Sequence, residues 1–351
     1  MSSGRIQTVL GTISPKDAGI TLTHEHVCMQ FYCALTPAPP HMKDKASGDL
    51  SFKMGNLGLI RQYPYANLEN LKLFEEKEAV LSEMKYFKEN GGATIVENTT
   101  IGIDRDMKFM QELSRKTGVN IVSGTGYYVG ASQQASVASM TIEQMSEVMM
   151  SDLTQGADGT DIKCGVIGEI GCTWPLEASE IKCLQGAAAI QEAIGCPVII
   201  HPGRNPKAPF EILRIVQEAG GDVSKTVMSH LDRSIHDYGE LEEFAKMGSY
   251  CEYDLFGLEA SHYQKNLAID MPSDAERINR IKHLIKQGYE DKIVIAHDIH
   301  TKHRLMKFGG HGYSHILESI VPKMLARGYT QQQVDKILIH NPREWLTYNC
   351  S

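Results

Sequence analysis

The chain has 351 residues, 42% hydrophobic and 22% charged, with 35 Lys+Arg against 43 Asp+Glu for a formal net charge of −8. That composition supplies a large core and argues against intrinsic disorder. A net acidic chain with no basic stripe is a poor match for a phosphate backbone, so no nucleic-acid partner is expected. The length allows two domains of roughly 150 residues, yet α/β barrels with insertions often exceed ~250 residues as one, and residues 1–351 are read as a single domain.

Eight cysteines (Cys28, Cys33, Cys164, Cys172, Cys183, Cys196, Cys251 and Cys350) are scattered without a CxxC pair. They read as free thiols of a cytoplasmic protein rather than a disulfide framework. The first residues lead into no apolar stretch, so no signal peptide is expected. No window reaches the ~20 apolar residues of a membrane span, so no membrane partner is expected either. One number stands out, the 14 histidines, and their placement decides what they mean.

Short apolar runs occur at 20–23, 93–96, 120–123, 165–168, 197–200, 226–229, 249–253 and 293–296. Each is small or β-branched and bounded by Gly, Pro or Asn, the pattern of buried parallel strands. Between them the spacing predicts helices over 70–88, 104–116, 141–154, 176–194, 208–219, 236–246 and 274–287, several ending at a glycine such as Gly118 or Gly195. Eight strand–helix units predict an α/β fold closed into a TIM (β/α)8 barrel. A doubly wound sheet is the competing architecture. Its glycine-rich turn is missing after the first run, and Gly124-Thr125-Gly126 lacks the third glycine. Residues 27–69 and 255–272 are longer than ordinary connections and are expected to form the rim of the site.

The first run leads into His24-Glu25-His26, whose two histidines share one face of an extended segment. Glu169, His201 and His230 end the runs at 165–168, 197–200 and 226–229, and Asp298 follows the last. In a parallel barrel those tips share the rim where catalytic groups sit. Four histidines and two carboxylates suffice for a binuclear centre of two divalent metal ions, zinc being the commonest choice for such ligands. Two such ions can share and activate a hydroxide. Two ions (+4), Glu169, Asp298 and one hydroxide sum to a formal +1, attractive to an anion.

These residues resemble the metal site of the phosphotriesterase branch of the amidohydrolase superfamily. Further motifs resemble its eukaryotic phosphotriesterase-related group: the stretches at 21–26, 168–176 (Gly-Glu-Ile-Gly-Cys-Thr-Trp-Pro-Leu), 201–204 (His-Pro-Gly-Arg), 228–233, 252–257 and 296–302. The resemblance implies an amidohydrolase-type barrel with His24, His26 and Asp298 on a buried metal and His201 and His230 on an exposed one. Glu169 stands where the wider family carries a carbamylated lysine, so it and a hydroxide would bridge the ions. Arg233 and Leu255 stand where organophosphate hydrolases have an acid and a histidine, which puts phosphotriester hydrolysis in doubt.

The resemblance further implies an amidase that removes short acyl groups from taurine-type amines, N-acetyltaurine above all. Asp298 would serve as general base and then acid. Arg204 and Arg233, each three residues past a ligand histidine, suit the substrate's anionic group. Tyr127, Tyr128, His300 and Lys302 lie beyond strand ends and are expected near the pocket. Asp232 and Glu97 are candidates to hold the outer nitrogens of ligand histidines. Ester or lactone hydrolysis on the same metals is the alternative activity, and a non-catalytic metal-binding scaffold the more distant one. Related barrels are often dimers, so a homodimer is compatible with the resemblance.

Overall fold

The computed structural model describes residues 4–46, 50–260 and 262–350. An N-terminal hairpin of β1 (Ile6–Thr8) and β2 (Gly11–Ile13) precedes the main sheet. That sheet is β3 (Ile20–Glu25), β4 (Gly92–Glu97), β5 (Asn120–Thr125), β6 (Val166–Gly171), β7 (Val198–His201), β8 (Thr226–Met228), β9 (Tyr250–Tyr253) and β10 (Ile293–Ile295). The eight strands are parallel neighbours in chain order. Bonds bridge the seam between the last and the first: among them, Asp298 N–H donates to the His24 carbonyl at 3.0 Å, and the Thr23 hydroxyl to that of Ile295 at 3.4 Å. The sheet is thus a nearly closed (β/α)8 barrel.

The strands fall where the apolar runs predict them. The helices do too, apart from late starts: 70–88 opens as tight turns, Glu69–Leu71 and Leu73–Glu75, and becomes α-helix only at Lys77–Glu89. Helix Met107–Thr117 starts later than residue 104 because Asp106 caps it, accepting from Phe109 N–H at 2.9 Å. Gly118 and Gly195 end their helices at φ 68° and 69°, a conformation other residues adopt at a cost.

Residues alternate along each strand between two layers. Val96, Val122, Val166, Ile199, Val227, Tyr250 and Val294 fill the barrel interior, and Trp345 from the last helix, Asn341–Leu346, joins that same buried cluster. Ile95, Ile121, Ile167, Val198, Ile200 and Ile295 belong instead to the larger core that includes helix residues such as Met110, Leu184 and Ile212. The pairing shifts register at three places: between Ile20 and Thr21, between Leu22 and Glu25, and between Ile167 and Ile170. The last slip leaves Ile167 and Ile170 both in the larger core and turns Glu169 inward. Gly168 makes it feasible, since a Cβ there would lie 2.0 Å from the Ile199 carbonyl oxygen.

Both long connections form the rim. Residues 47–49 and 261, which fall within them, lie outside the described residues. The connections bind each other: Tyr65 N–H donates to Gln264 Oε1 at 3.0 Å, and Gln264 Nε2 donates to the Thr36 carbonyl at 3.2 Å. Among the described residues no helix is long and apolar enough to cross a membrane.

Candidate active site

Six side chains, each from or just beyond a strand tip, converge in the barrel mouth: His24, His26, Glu169, His201, His230 and Asp298, all buried. Glu169 is central. Its Oε2 lies 2.9 Å from His201 Nδ1, 3.4 Å from His24 Nε2 and 3.5 Å from His230 Nε2. Its Oε1 lies 3.5 Å from His26 Nε2. Asp298 Oδ1 sits 3.2 Å from His26 Nε2 and 3.8 Å from His24 Nε2. His230 and Asp298 both hold left-handed backbone, φ 56° and 52°, which costs roughly 1–2 kcal/mol per residue. Backbone bonds offset that strain: His230 N–H to Asp254 Oδ2 at 3.1 Å, and Asp298 N–H to His24 across the seam.

The outer nitrogens of three histidines are all occupied. His24 Nδ1 faces Asp254 Oδ2 at 3.1 Å and Glu252 Oε2 at 3.2 Å. His230 Nδ1 faces Asp254 Oδ1 at 2.8 Å. His26 Nδ1 lies 2.9 Å from the Thr99 hydroxyl, which in turn donates to Glu97. Such partners fix the ring and present the Nε2 lone pair inward, the usual arrangement around metal ligands. His24 Nε2, fully buried, makes no well-formed hydrogen bond, although Glu169 and Asp298 oxygens lie 3.4 and 3.8 Å away. A buried imidazole nitrogen facing two carboxylates fits a cation held between them. The groups His24–His26–Asp298 and His24–Glu169–His230 each bring ligand atoms within 4.8 Å of one another, so the cluster is able to hold metal.

Its electrostatics agree. Burial pulls His26 down, but the Asp298 and Glu169 carboxylates outweigh burial and raise it to about 9. Burial pushes Glu169 up, yet the charges of His24 and His201 hold it well below the ordinary carboxylate range. Protons held on His24 and His26 compensate the carboxylates, a place divalent ions would take.

The cavity over the cluster measures only about 20 Å³, room for one or two waters. Met29, Phe31, Leu255, Leu258 and Met271 form its apolar wall; Tyr65, Tyr128, Tyr263, Arg204, Arg233 and His300 form its polar one. His300 Nδ1 lies 3.2 Å from Asp298 Oδ2 and its Nε2 3.0 Å from the Tyr65 hydroxyl. Arg233, buried, donates to the Pro202 carbonyl at 3.2 Å, and its Nη1 has no partner. Half-buried Arg204 donates from Nε to the Tyr263 hydroxyl at 2.7 Å. Among the described residues neither guanidinium pairs with a carboxylate.

Three expectations need correction. Tyr127 does not line this cavity: adjacent residues of an extended segment point opposite ways, and its hydroxyl lies 3.7 Å from Met140 Sδ while Tyr128 faces the site. Lys302 is held away by Glu75 at 2.7 Å and Glu76 at 3.2 Å. Asp232 pairs with Arg277 at 2.9 Å, not with a cluster histidine. Glu252 and Asp254 take that role, and the signal for them was available: two acids spaced by two on the inner face that Tyr250 defines.

The sequence profile of the phosphotriesterase family matches residues 4–346. The chain belongs to the phosphotriesterase family. Within it, the chain is 58% identical over 346 residues to the N-acetyltaurine hydrolase of Xenopus tropicalis and 55% to that of Homo sapiens, in both cases over 99% of each chain. Its fold is similar to the crystal structure of a resiniferatoxin-binding protein from Rhodobacter sphaeroides, with TM-score 0.92 and 31% identity over 98% of this chain and 95% of that one. The family indicated by the motifs is therefore the right one, and the cluster occupies the mouth of a phosphotriesterase-family barrel.

Proposed function

We propose that residues 1–351 act as one metal-dependent amidohydrolase that cleaves a small N-acyl anionic amine, N-acetyltaurine above all, to taurine and acetate. Relatives bearing that activity in their names match this chain over 99% of its length. The observation that carries the reading to this site is the pair Arg204 and Arg233. Two guanidiniums with no carboxylate partner among the described residues face a cavity just large enough for a reacting group. Placing positive charge there without compensation is costly. An anionic substrate supplies the missing charge, and a sulfonate suits a planar guanidinium fork.

His24, His26 and Asp298 would hold one divalent cation and His201 and His230 a second, with Glu169 reaching both; imidazole and carboxylate ligands suit zinc. Cations held there would supply a water acidified toward neutral pH and polarise the acyl oxygen. The chain's own groups do the rest. Asp298 accepts the proton of the attacking water and returns it to the leaving nitrogen. His300 Nδ1–H, 2.7 Å from the Asp298 carbonyl and 3.2 Å from its carboxylate, and braced by Tyr65, holds Asp298 in place. The apolar wall of Met29, Phe31 and Leu255 keeps bulk water out. The eight thiols, none in a disulfide, fit a cytoplasmic enzyme.

A panel of N-acetyltaurine, a neutral N-acetyl amine, a lactone and a phosphotriester tests the reading. It predicts turnover of the anionic amide above the other three. Preferential cleavage of the lactone or the phosphotriester would establish the ester-hydrolase alternative instead.

A further inference from the structure

A second chamber of about 300 Å³ opens beside the inner cavity. The two share Phe31, Tyr128, His201 and Arg204, so Arg204 stands at their junction. Lys265, from the long rim connection after β9, lines this chamber and not the inner cavity. Its Nζ donates to the Ala34 carbonyl and, at 2.8 Å, to the Thr36 hydroxyl, and rests 5.1 Å from the Tyr65 ring centroid. These contacts use two of the three ammonium protons and none is to a carboxylate. Among the described residues Lys265, like Arg204, has no acidic partner. Burial and the charge of Arg204 pull Lys265 down to about 8, so its positive charge is itself disfavoured in the free protein.

We infer that the outer chamber is a second anion subsite, in which Lys265 receives an anionic substituent on the amine portion of the substrate. The inference rests on the amidase reading above. With the acyl group in the inner cavity and the first anion on the arginines, substituents of the amine portion extend past Arg204 into the larger space. The substrate class is thereby widened to N-acyl amines carrying two anionic groups, such as an N-acetylated amino sulfonate that also bears a carboxylate. A second anion there meets an ammonium held ready by Ala34 and Thr36, with one proton still to give.

The test compares N-acetyltaurine with N-acetyl-L-cysteate, the same compound with an added carboxylate, in wild type, Lys265→Met and Lys265→Arg. The subsite predicts that Lys265→Met lowers kcat/KM for the dianion by about tenfold or more while N-acetyltaurine changes by less than about threefold, and that Lys265→Arg restores the dianion. Equal losses on both substrates would make Lys265 a brace for the 34–36 segment and overturn the inference, as would failure of the dianion to react at all. Calorimetry with sulfoacetate and ethanesulfonate supplies a readout independent of turnover. Wild type should prefer the dianion and Lys265→Met should not; equal affinities in wild type overturn the subsite. If N-acetyltaurine itself is not cleaved, the proposed function falls, and the sulfoacetate result still decides on the subsite.

Discussion

Glu25, which separates the two histidines of β3, turns away from them and clasps His297 on the far side of the barrel seam. Its Oε1 accepts from His297 N–H at 2.8 Å and Nδ1–H at 2.7 Å, and its Oε2 from Ile299 N–H at 3.2 Å. His297 Nε2 accepts from Ile316 N–H at 3.0 Å, which settles Nδ1 as the donor. Asp298 lies between the two clasped residues, in left-handed backbone. Glu25 is thus a positioning residue for Asp298. Glu25→Ala is expected to lower kcat about 10–100-fold with a smaller change in KM, and to weaken metal binding on titration. Glu25→Gln should fall between, since its amide oxygen can keep the two His297 bonds but its NH2 opposes Ile299 N–H.

Asp298→Asn removes the proposed proton acceptor while keeping a side chain of the same shape. Turnover is expected to drop roughly 10²–10⁴-fold. Metal content should persist, because His24, His26, Glu169, His201 and His230 remain. Near-normal kcat in a metallated Asn variant would take the role from Asp298.

Arg204→Ala and Arg233→Ala are expected to raise KM for anionic amides about tenfold or more and to leave neutral N-acetyl amines little changed. If neither variant changes KM for N-acetyltaurine, the anion-binding role of the pair is wrong.

Away from the cluster, Glu83 on helix Lys77–Glu89 carries a pH signature in stability. Burial pushes its carboxyl up to about 7, and neither of its oxygens has a hydrogen-bond partner among the described residues. The unfolded chain releases this proton near its ordinary value of 4.5, below the folded value, so stability falls as pH rises between the two. The loss amounts to about 3 kcal/mol and is complete above the folded value. Denaturant titrations at several pH values should show this slope in wild type and its absence in Glu83→Gln.

The barrel was legible because buried parallel strands are written as short apolar runs, and all eight sit where those runs lie. The six cluster residues were legible because each ends or follows such a run. Side-chain direction was harder. A one-residue difference sends Tyr128 into the site and Tyr127 out of it, and the slip at Gly168 reverses the face that strict alternation gives Glu169. Asp232 looked like a histidine partner until its real one, Arg277, came from 45 residues further along. Tyr65, Tyr263 and Lys265 reach the site from connections with no periodicity, where no local pattern says which side chains turn inward.

The central claim is that the cluster binds metal to hydrolyse an anionic amide. Elemental analysis paired with N-acetyltaurine turnover, before chelation, after it and after Zn²⁺ is restored, tests it most directly. The account predicts about two divalent ions per chain, loss of activity on their removal and recovery on their return. Full activity in metal-free protein would contradict it.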